Sequence, residues 1–316
     1  MSQYGTFVGI DVSKDRLDVH VLPDGQSFSA LNDESGASEL CQRLSALAQP
    51  VLVVMEATNV FWKTAATCLG SAGLQVAVVN PRQVRDFAKA TGTLAKTDAI
   101  DAQVLALFAQ RVCPPARALP SPQCEIAREL LARRAQLIGM RTAEKNRLAS
   151  ARAKKVRKDI QATIVFLDKR LAAVDTEIDQ WLKDTPIDQT RLNLLKSFDG
   201  IGHGSARALL IGVPELGSLS GKQIGALVGV APFARDSGNK RGQRHISGGR
   251  PAVRAALYMP AITAIRCNPI IRQFYQRLIK AGKHHYVAII ACMRKMLVIL
   301  NAMLKSNQSW KAPQGA

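Results

Sequence analysis

The chain has 316 residues, 43 Lys and Arg against 24 Asp and Glu, a formal net charge of +19 and 47% hydrophobic residues. That apolar content excludes intrinsic disorder, no apolar run reaches the roughly 20 residues that span a bilayer, and the start, MSQYGTFVGIDVSKD, does not read as a secretory signal. The six cysteines (Cys41, Cys68, Cys113, Cys124, Cys267 and Cys292) are scattered without a C-x-x-C pair, which argues against a zinc centre or a disulfide framework and fits a reducing cytoplasm.

Residues 6–12 (TFVGIDV) and 16–22 (RLDVHVL) read as β-branched strands joined by the polar turn Ser13-Lys14-Asp15. Pro23-Asp24-Gly25 then turns the chain into a third strand, QSFSAL. Leu40, Leu44 and Leu47 predict a helix over 36–48, and VLVVM at 51–55 is a wholly apolar run, as in a strand covered on both faces. A helix over 60–72 follows, then a strand at 74–80 (LQVAVVN) stopped by Pro81, and helices over 82–90 and 98–112. A meander followed by alternating helices and strands implies an α/β domain over 1–112, a mixed sheet with helices on its faces.

The segment 113–122 (CPPARALPSP) carries four prolines and reads as a linker. The charge changes sign there: residues 1–110 have a net charge of −3 and residues 111–316 a net charge of +22. A basic surface of that size collects polyanions, of which nucleic acid is the commonest in a cytoplasm, while the basic, aromatic-faced helix of a membrane-surface protein is missing. Residues 123–186 read as a helical arm. Its stretch 128–158 holds 11 basic residues with only Glu129 and Glu144 as acids. From Ile160 the apolar positions Ile164, Leu167, Leu171, Val174, Ile178 and Leu182 follow a near-heptad seam, as in a coiled coil that folds back as a hairpin or pairs with another copy of the chain, an arm for assembly. Lys154, Lys155, Arg157 and Lys158 would lie on phosphates. Residues 187–316 read as mainly α-helical. LLKSFDGIGHGSARALLIGV (194–213) is a helix-hairpin-helix-like segment whose glycines let backbone N–H groups approach a phosphate. A short helix over 222–229, a glycine-rich basic loop over 235–250, a helix opened by Pro251 and an apolar helix over 285–304 complete the chain.

Four carboxylates stand out by position. Asp11 interrupts an apolar strand, Glu56 ends another, and Asp98 and Asp101 project from one helical face. Such acids can converge on Mg²⁺, and two ions together can stabilise the attacking and leaving oxygens of a phosphodiester. The plainer readings are that Asp98 caps its helix, with Asp101 completing the first turn, and that Asp11 opens a turn. Ser247, on a Gly-flexed loop just before a helix, has Arg241, Arg244, Arg250 and Arg254 close in sequence. It suits a nucleophile on a phosphodiester whose charge the guanidinium groups hold, with His245 a candidate base. Its plainer reading is a cap or turn serine.

The motifs GIDVSKDRLDVHV, VVMEAT, KTDAIDAQVLALF and HISGGRPAVRAALYMPA, in this order and spacing, resemble the DEDD-type insertion-sequence transposases. These are the insertion sequence 110 family and its Piv/MooV-like DNA invertases, and the resemblance covers nearly the whole chain. It implies a RuvC-like (RNase H-like) catalytic domain over 1–112, a linker over 113–122, a coiled-coil arm over 123–186 and a C-terminal transposase domain over 187–316. By the same resemblance Asp11, Glu56, Asp98 and Asp101 bind Mg²⁺ or Mn²⁺, and Ser247 forms a covalent link to DNA. It further implies target and donor DNA paired by a noncoding bridge RNA, a homodimer assembling to a tetramer with composite sites, and action at the nucleoid of a bacterial cytoplasm. Two other readings stay open on the residues alone. One is a metal-dependent nuclease or Holliday-junction resolvase-like enzyme in which Ser247 is incidental. The other is a nucleic-acid-binding structural protein.

Overall fold

A computed structural model describes residues 3–57, 60–93, 97–116, 122–184, 186–234, 236–238, 242 and 244–311. The chain forms two compact units, Met1–Ser121 and Pro122–Ala316.

The first unit is built on a five-stranded sheet of order β3-β2-β1-β4-β5. β1 (Thr6–Val12) runs antiparallel to β2 (Arg16–Leu22), and β2 antiparallel to β3 (Gln26–Leu31). β4 (Val51–Glu56) is parallel to β1, and β5 (Gln75–Val79) parallel to β4. Because side chains alternate along a strand, each strand feeds both faces. Val8, Ile10, Val19 and Val53 pack on the side of α1 (Glu34–Ser45) and α2 (Trp62–Ser71). Phe7, Leu52, Val54 and Leu105 fill the opposite side, under α3 (Pro81–Ala90) and α4 (Asp98–Val112).

The helix starts are set by caps that periodicity does not show. α1 begins before residue 36 because the Asp33 carboxylate accepts from the Gly36 amide at 2.7 Å. Pro81 both ends β5 and opens α3, whose cap is the Asn80 side chain, 2.9 Å from the Arg82 amide. Thr97 caps α4 through Ile100 N–H at 3.3 Å, so Asp98 is not the cap; Asp98 and Asp101 lie in the first turn. Although far apart in sequence, Cys41 on α1 and Cys68 on α2 meet with their sulfurs 2.7 Å apart, as free thiols.

The second unit is mainly helical. α5 (Pro122–Ser150) and α6 (Lys154–Lys183) fold back as an antiparallel hairpin. Arg134 pairs with Asp175 at 2.7 Å and Arg141 with Asp168 at 2.8 Å, while Arg157 caps the end of α5 by donating to the Leu148 and Ala151 carbonyls. Ile160, Leu167, Leu171, Val174, Ile178 and Leu182 are buried along α6, and Ile164, the remaining seam position, is half-buried. The base of this hairpin shares one core with α7 (Pro186–Lys196), α8 (His203–Gly212), α9 (Gly221–Val228), α10 (Pro251–Cys267), α11 (Pro269–Lys280) and α12 (His285–Ser306). Arg207 on α8, 4% exposed, bridges Asp175 and Asp179 of α6 and fastens the hairpin to that core. α12 is long and apolar enough to cross a membrane, but Ile289, Met293, Met296 and Leu300 put half of it inside this core. A short ribbon, β6 (Pro232–Phe233) and β7 (His245–Ile246), precedes α10.

Candidate active site

The acids are brought together by a glycine. A Cβ on Gly9 would lie 2.1 Å from the Ala102 carbonyl oxygen and 2.2 Å from the Ala106 nitrogen, so only glycine lets α4 rest on β1. Asp11, two residues on, faces the same side. In the parallel register Ile10 pairs with Met55, so Asp11 and Glu56 follow side by side at the ends of adjacent strands. Glu56 shares the face of Leu52 and Val54, which is again the α4 side. α4 presents Asp98 one turn before Ala102 and Asp101 immediately before it. The Asp11 carboxyl is pushed up to about 6, first by burial and then by the negative charges of Asp101, Asp98 and Glu56. Asp11 is therefore not a turn residue: Ser13 makes the turn, its hydroxyl and amide both bonded to the Arg16 carbonyl at 2.9 Å.

Whether this set suits a cation follows from its chemistry. Hard oxygen donors whose charges raise the proton affinity of Asp11 are the environment a divalent ion relieves. Among the described residues no three acidic, His or Cys side chains stand close enough to hold a metal ion, so the acids share an electrostatic neighbourhood without closing into a cage. A fifth acid escapes the sequence reading. Asp18 is the register partner of Asp11, points to the same face and is 5% exposed. It holds Arg16, whose Nε donates to its two oxygens at 3.0 and 2.9 Å, and it accepts from Ser29 at 2.8 Å. The signal was present in RLDVHV, whose polar positions all fall on one face of β2.

Ser247 lies wholly within the second unit. It is exposed and does not cap α10, whose cap position is Arg250 with Pro251 at N1. The loop that carries it is pinned on two sides. Gly249 (φ 72°) presses on Gly229 (φ 78°) at the end of α9: a Cβ on Gly249 would lie 2.3 Å from the Gly229 nitrogen, and one on Gly229 would lie 2.3 Å from the Gly248 oxygen. Arg254 donates to the Gly248 carbonyl at 2.8 Å and to the Val228 carbonyl at 3.3 Å. Arg250 reaches the other way, to the Gly212 carbonyl at 2.9 Å and to both oxygens of Glu215 at 2.7 and 2.6 Å. Burial works to raise the Glu215 carboxyl, but the hydrogen bonds and charge of Arg250 outweigh it and hold the group below its ordinary value.

The sequence reading gave all four loop arginines to phosphates. In the structure Arg250 and Arg254 hold the serine loop, Arg244 pairs with Asp236 at 2.9 Å, and Arg241 lies outside the described residues. On the arm, Arg157 is engaged by backbone carbonyls, whereas Lys154, Lys155 and Lys158 are exposed in the first turns of α6. The Gly-rich hairpin between α7 and α8 opens onto a cleft lined by Gly200, Gly202, Ser205, Pro260 and Thr263.

Comparison with known proteins accounts for both halves. Residues 8–151 match a DEDD-type IS110 family model described as "Transposase", and residues 192–276 match one described as "Transposase IS116/IS110/IS902 family". The chain belongs to the IS110 transposase family. The "Pilin gene-inverting protein" of Moraxella bovis is 28% identical over 318 residues, 96% of this chain and 97% of that protein. The "Insertion element IS900 uncharacterized 42 kDa protein" of Mycobacterium paratuberculosis is 31% identical over 159 residues, 47% of this chain and 39% of that protein. As an IS110-family member the chain is a DNA transposase or site-specific recombinase, and the family's DEDD acids imply dependence on a divalent metal. The first matched segment of this IS110 transposase contains Asp11, Glu56, Asp98 and Asp101, and the second contains Ser247.

Proposed function

We propose that this transposase cleaves and exchanges DNA strands with Ser247 as nucleophile, and that Asp11, Glu56, Asp98 and Asp101 act on the same phosphodiester. The observation that carries the reading is the pairing of two devices: Asp11 with the charges of Asp101, Asp98 and Glu56 acting on it, and an exposed serine on a loop fixed at both ends. The Ser247 hydroxyl forms a bond to phosphorus as the bond from phosphorus to the departing sugar oxygen breaks, and the serine proton ends on that oxygen. Attack by a hydroxyl of the second DNA strand reverses these changes and frees the serine. Asp11, Glu56, Asp98 and Asp101 would hold Mg²⁺ or Mn²⁺, which would neutralise phosphate charge. Arg250 and Arg254 keep the serine loop in place, and Lys154, Lys155 and Lys158 contact phosphates, since lysines in the first turns of a helix oppose its dipole unless an anion is near.

The order β3-β2-β1-β4-β5 with an antiparallel β2, and acids at the ends of β1 and β4, supports a RuvC-like fold for residues 1–112. The α5–α6 hairpin supports a coiled-coil arm, and Val165 and Phe166, left exposed on α6, support its joining copies into a dimer and then a tetramer, with composite sites. Target and donor DNA, a noncoding guide RNA that pairs with them, and action at the nucleoid in the cytoplasm complete the reading. They are supported by the family and by the net charge of +19. Strand exchange between two DNA sites, followed with purified Ser247→Ala and Asp11→Asn proteins, tests it. Both variants are inactive on this account; normal cutting by Ser247→Ala would instead indicate a metal-dependent nuclease.

A further inference from the structure

The last acidic residue of the chain is Asp236, and the 80 residues that follow carry 14 Lys and Arg. Within this acid-free stretch, α11 turns into α12 at a tip where every residue from Ile279 to Val287 is exposed. Four rings gather there. His284 and Tyr286 stack at 5.6 Å between centroids and 27° between planes. His285 meets Tyr286 at 5.6 Å and Tyr275 edge-on at 5.9 Å, and its Nδ1 is 2.6 Å from the Tyr275 hydroxyl. Tyr286 remains 59% exposed. Lys280 and Lys283 flank the rings, and just behind them Arg277 and Lys295 sit on the Phe274 ring at 5.2 and 4.6 Å.

Held in fixed orientation by one another, with His284, His285 and Tyr286 in water and Tyr275 packed against the core, these rings offer pre-ordered flat faces. Ringed by cations with no carboxylate along the surrounding stretch of chain, they match the pattern that binds single strands: a cationic track for the backbone and π-faces for the bases. A duplex hides its base faces inside the stack and would leave these rings without partners. We propose that the α11–α12 tip is a stacking platform for unpaired bases of a single-stranded polynucleotide, with Tyr286 and His284 taking the bases and Lys280 and Lys283 the flanking phosphates. This goes beyond the strand-exchange reading and stands apart from the serine loop and the acids.

The test is equilibrium binding of the full-length protein to three fluorescent probes: oligo-dT, an unstructured RNA of equal length, and a DNA duplex. Base stacking on an aromatic side chain sets the expected loss for Tyr286→Ala at about 5- to 150-fold on the single strands, with duplex affinity unchanged. Tyr286→Trp, which keeps a flat ring, restores single-strand binding, and Lys280→Gln with Lys283→Gln makes it less salt-dependent. The ratio of RNA to DNA affinity in the wild type identifies which strand the tip prefers. Two results would overturn the proposal: full single-strand affinity in Tyr286→Ala, or equal losses on duplex and single strand. Because the readout is binding, inactivity in strand exchange does not enter it.

Discussion

Arg250 grips both carboxylate oxygens of Glu215, at 2.7 and 2.6 Å, only three residues after Ser247. An arginine that sequence proximity assigns to phosphate is thereby a fixing point for the Ser247 loop. Glu215→Gln removes the charge and keeps the shape. Its strand-exchange rate should fall at least about tenfold, and the loss of one charged hydrogen-bonded pair should lower stability by about 1–3 kcal/mol. DNA affinity should stay unchanged. The distinguishing measurement is the salt dependence of DNA binding: Arg250→Gln should leave its slope unaltered, whereas Lys155→Gln should lower it by about one for the lost phosphate contact.

The backbone contact between Gly229 and Gly249 leaves no room for a methyl group. Gly229→Ala places a Cβ 2.3 Å from the Gly248 oxygen at a φ of 78°. The combined overpacking and backbone strain should cost about 2–4 kcal/mol and impair strand exchange more than duplex binding. Gly139, within α5, has nothing within 4 Å of an added Cβ, and Gly139→Ala should raise stability by about 0.5–1 kcal/mol. Thermal melts of the two variants, beside exchange assays, check this.

Gly9→Ala pushes on α4 rather than on a loop. The added Cβ, 2.1 Å from the Ala102 oxygen, must lift the helix that carries Asp98 and Asp101. We expect destabilisation of about 2–4 kcal/mol, at the upper end for overpacking because the clash is with backbone. Divalent-ion stimulation should fall even where the variant remains folded. Metal titration of exchange activity at a temperature well below its melt is the measurement.

The raised Asp11 carboxyl gives a pH signature. Its folded value of about 6 lies above the ordinary 3.8, so the native state holds the proton more tightly than the unfolded chain. Its contribution to stability is therefore full below the ordinary value and is lost as pH rises through about 6. Asp11→Asn cannot ionise. Without divalent ions its melting temperature should gain on the wild type as pH goes from 4 to 7, and Mg²⁺ should narrow that gap by stabilising the wild type alone. A parallel pH dependence in the two proteins would remove Asp11 as the strained acid.

Much of this was legible in the sequence because it is local. The alternation in TFVGIDV and RLDVHVL and the turn residues between them fix β1 to β3 residue for residue, and the wholly apolar VLVVM marks the doubly covered β4. What failed is tertiary. Nothing near Arg250 or Arg254 in the sequence points to Glu215 or to the end of α9, each some 25 to 35 residues away. Asp18 meets Asp11 only through the pairing of β1 with β2. Thr97 hides as a cap because Asp98, beside it, is an equally good capping residue. Cys41 and Cys68 meet only because α1 and α2 pack together.

Attack by Ser247 on a phosphodiester that the four acids serve would leave a covalent trace, read by mass spectrometry of the protein trapped on DNA during strand exchange and then digested with nuclease and protease. The account predicts a nucleotide remnant on the Ser247 hydroxyl in the wild-type protein with Mg²⁺, and none in Asp11→Asn or without divalent ions. Strand cutting at full rate with Ser247 unmodified, or a remnant attached to any other side chain, would contradict it.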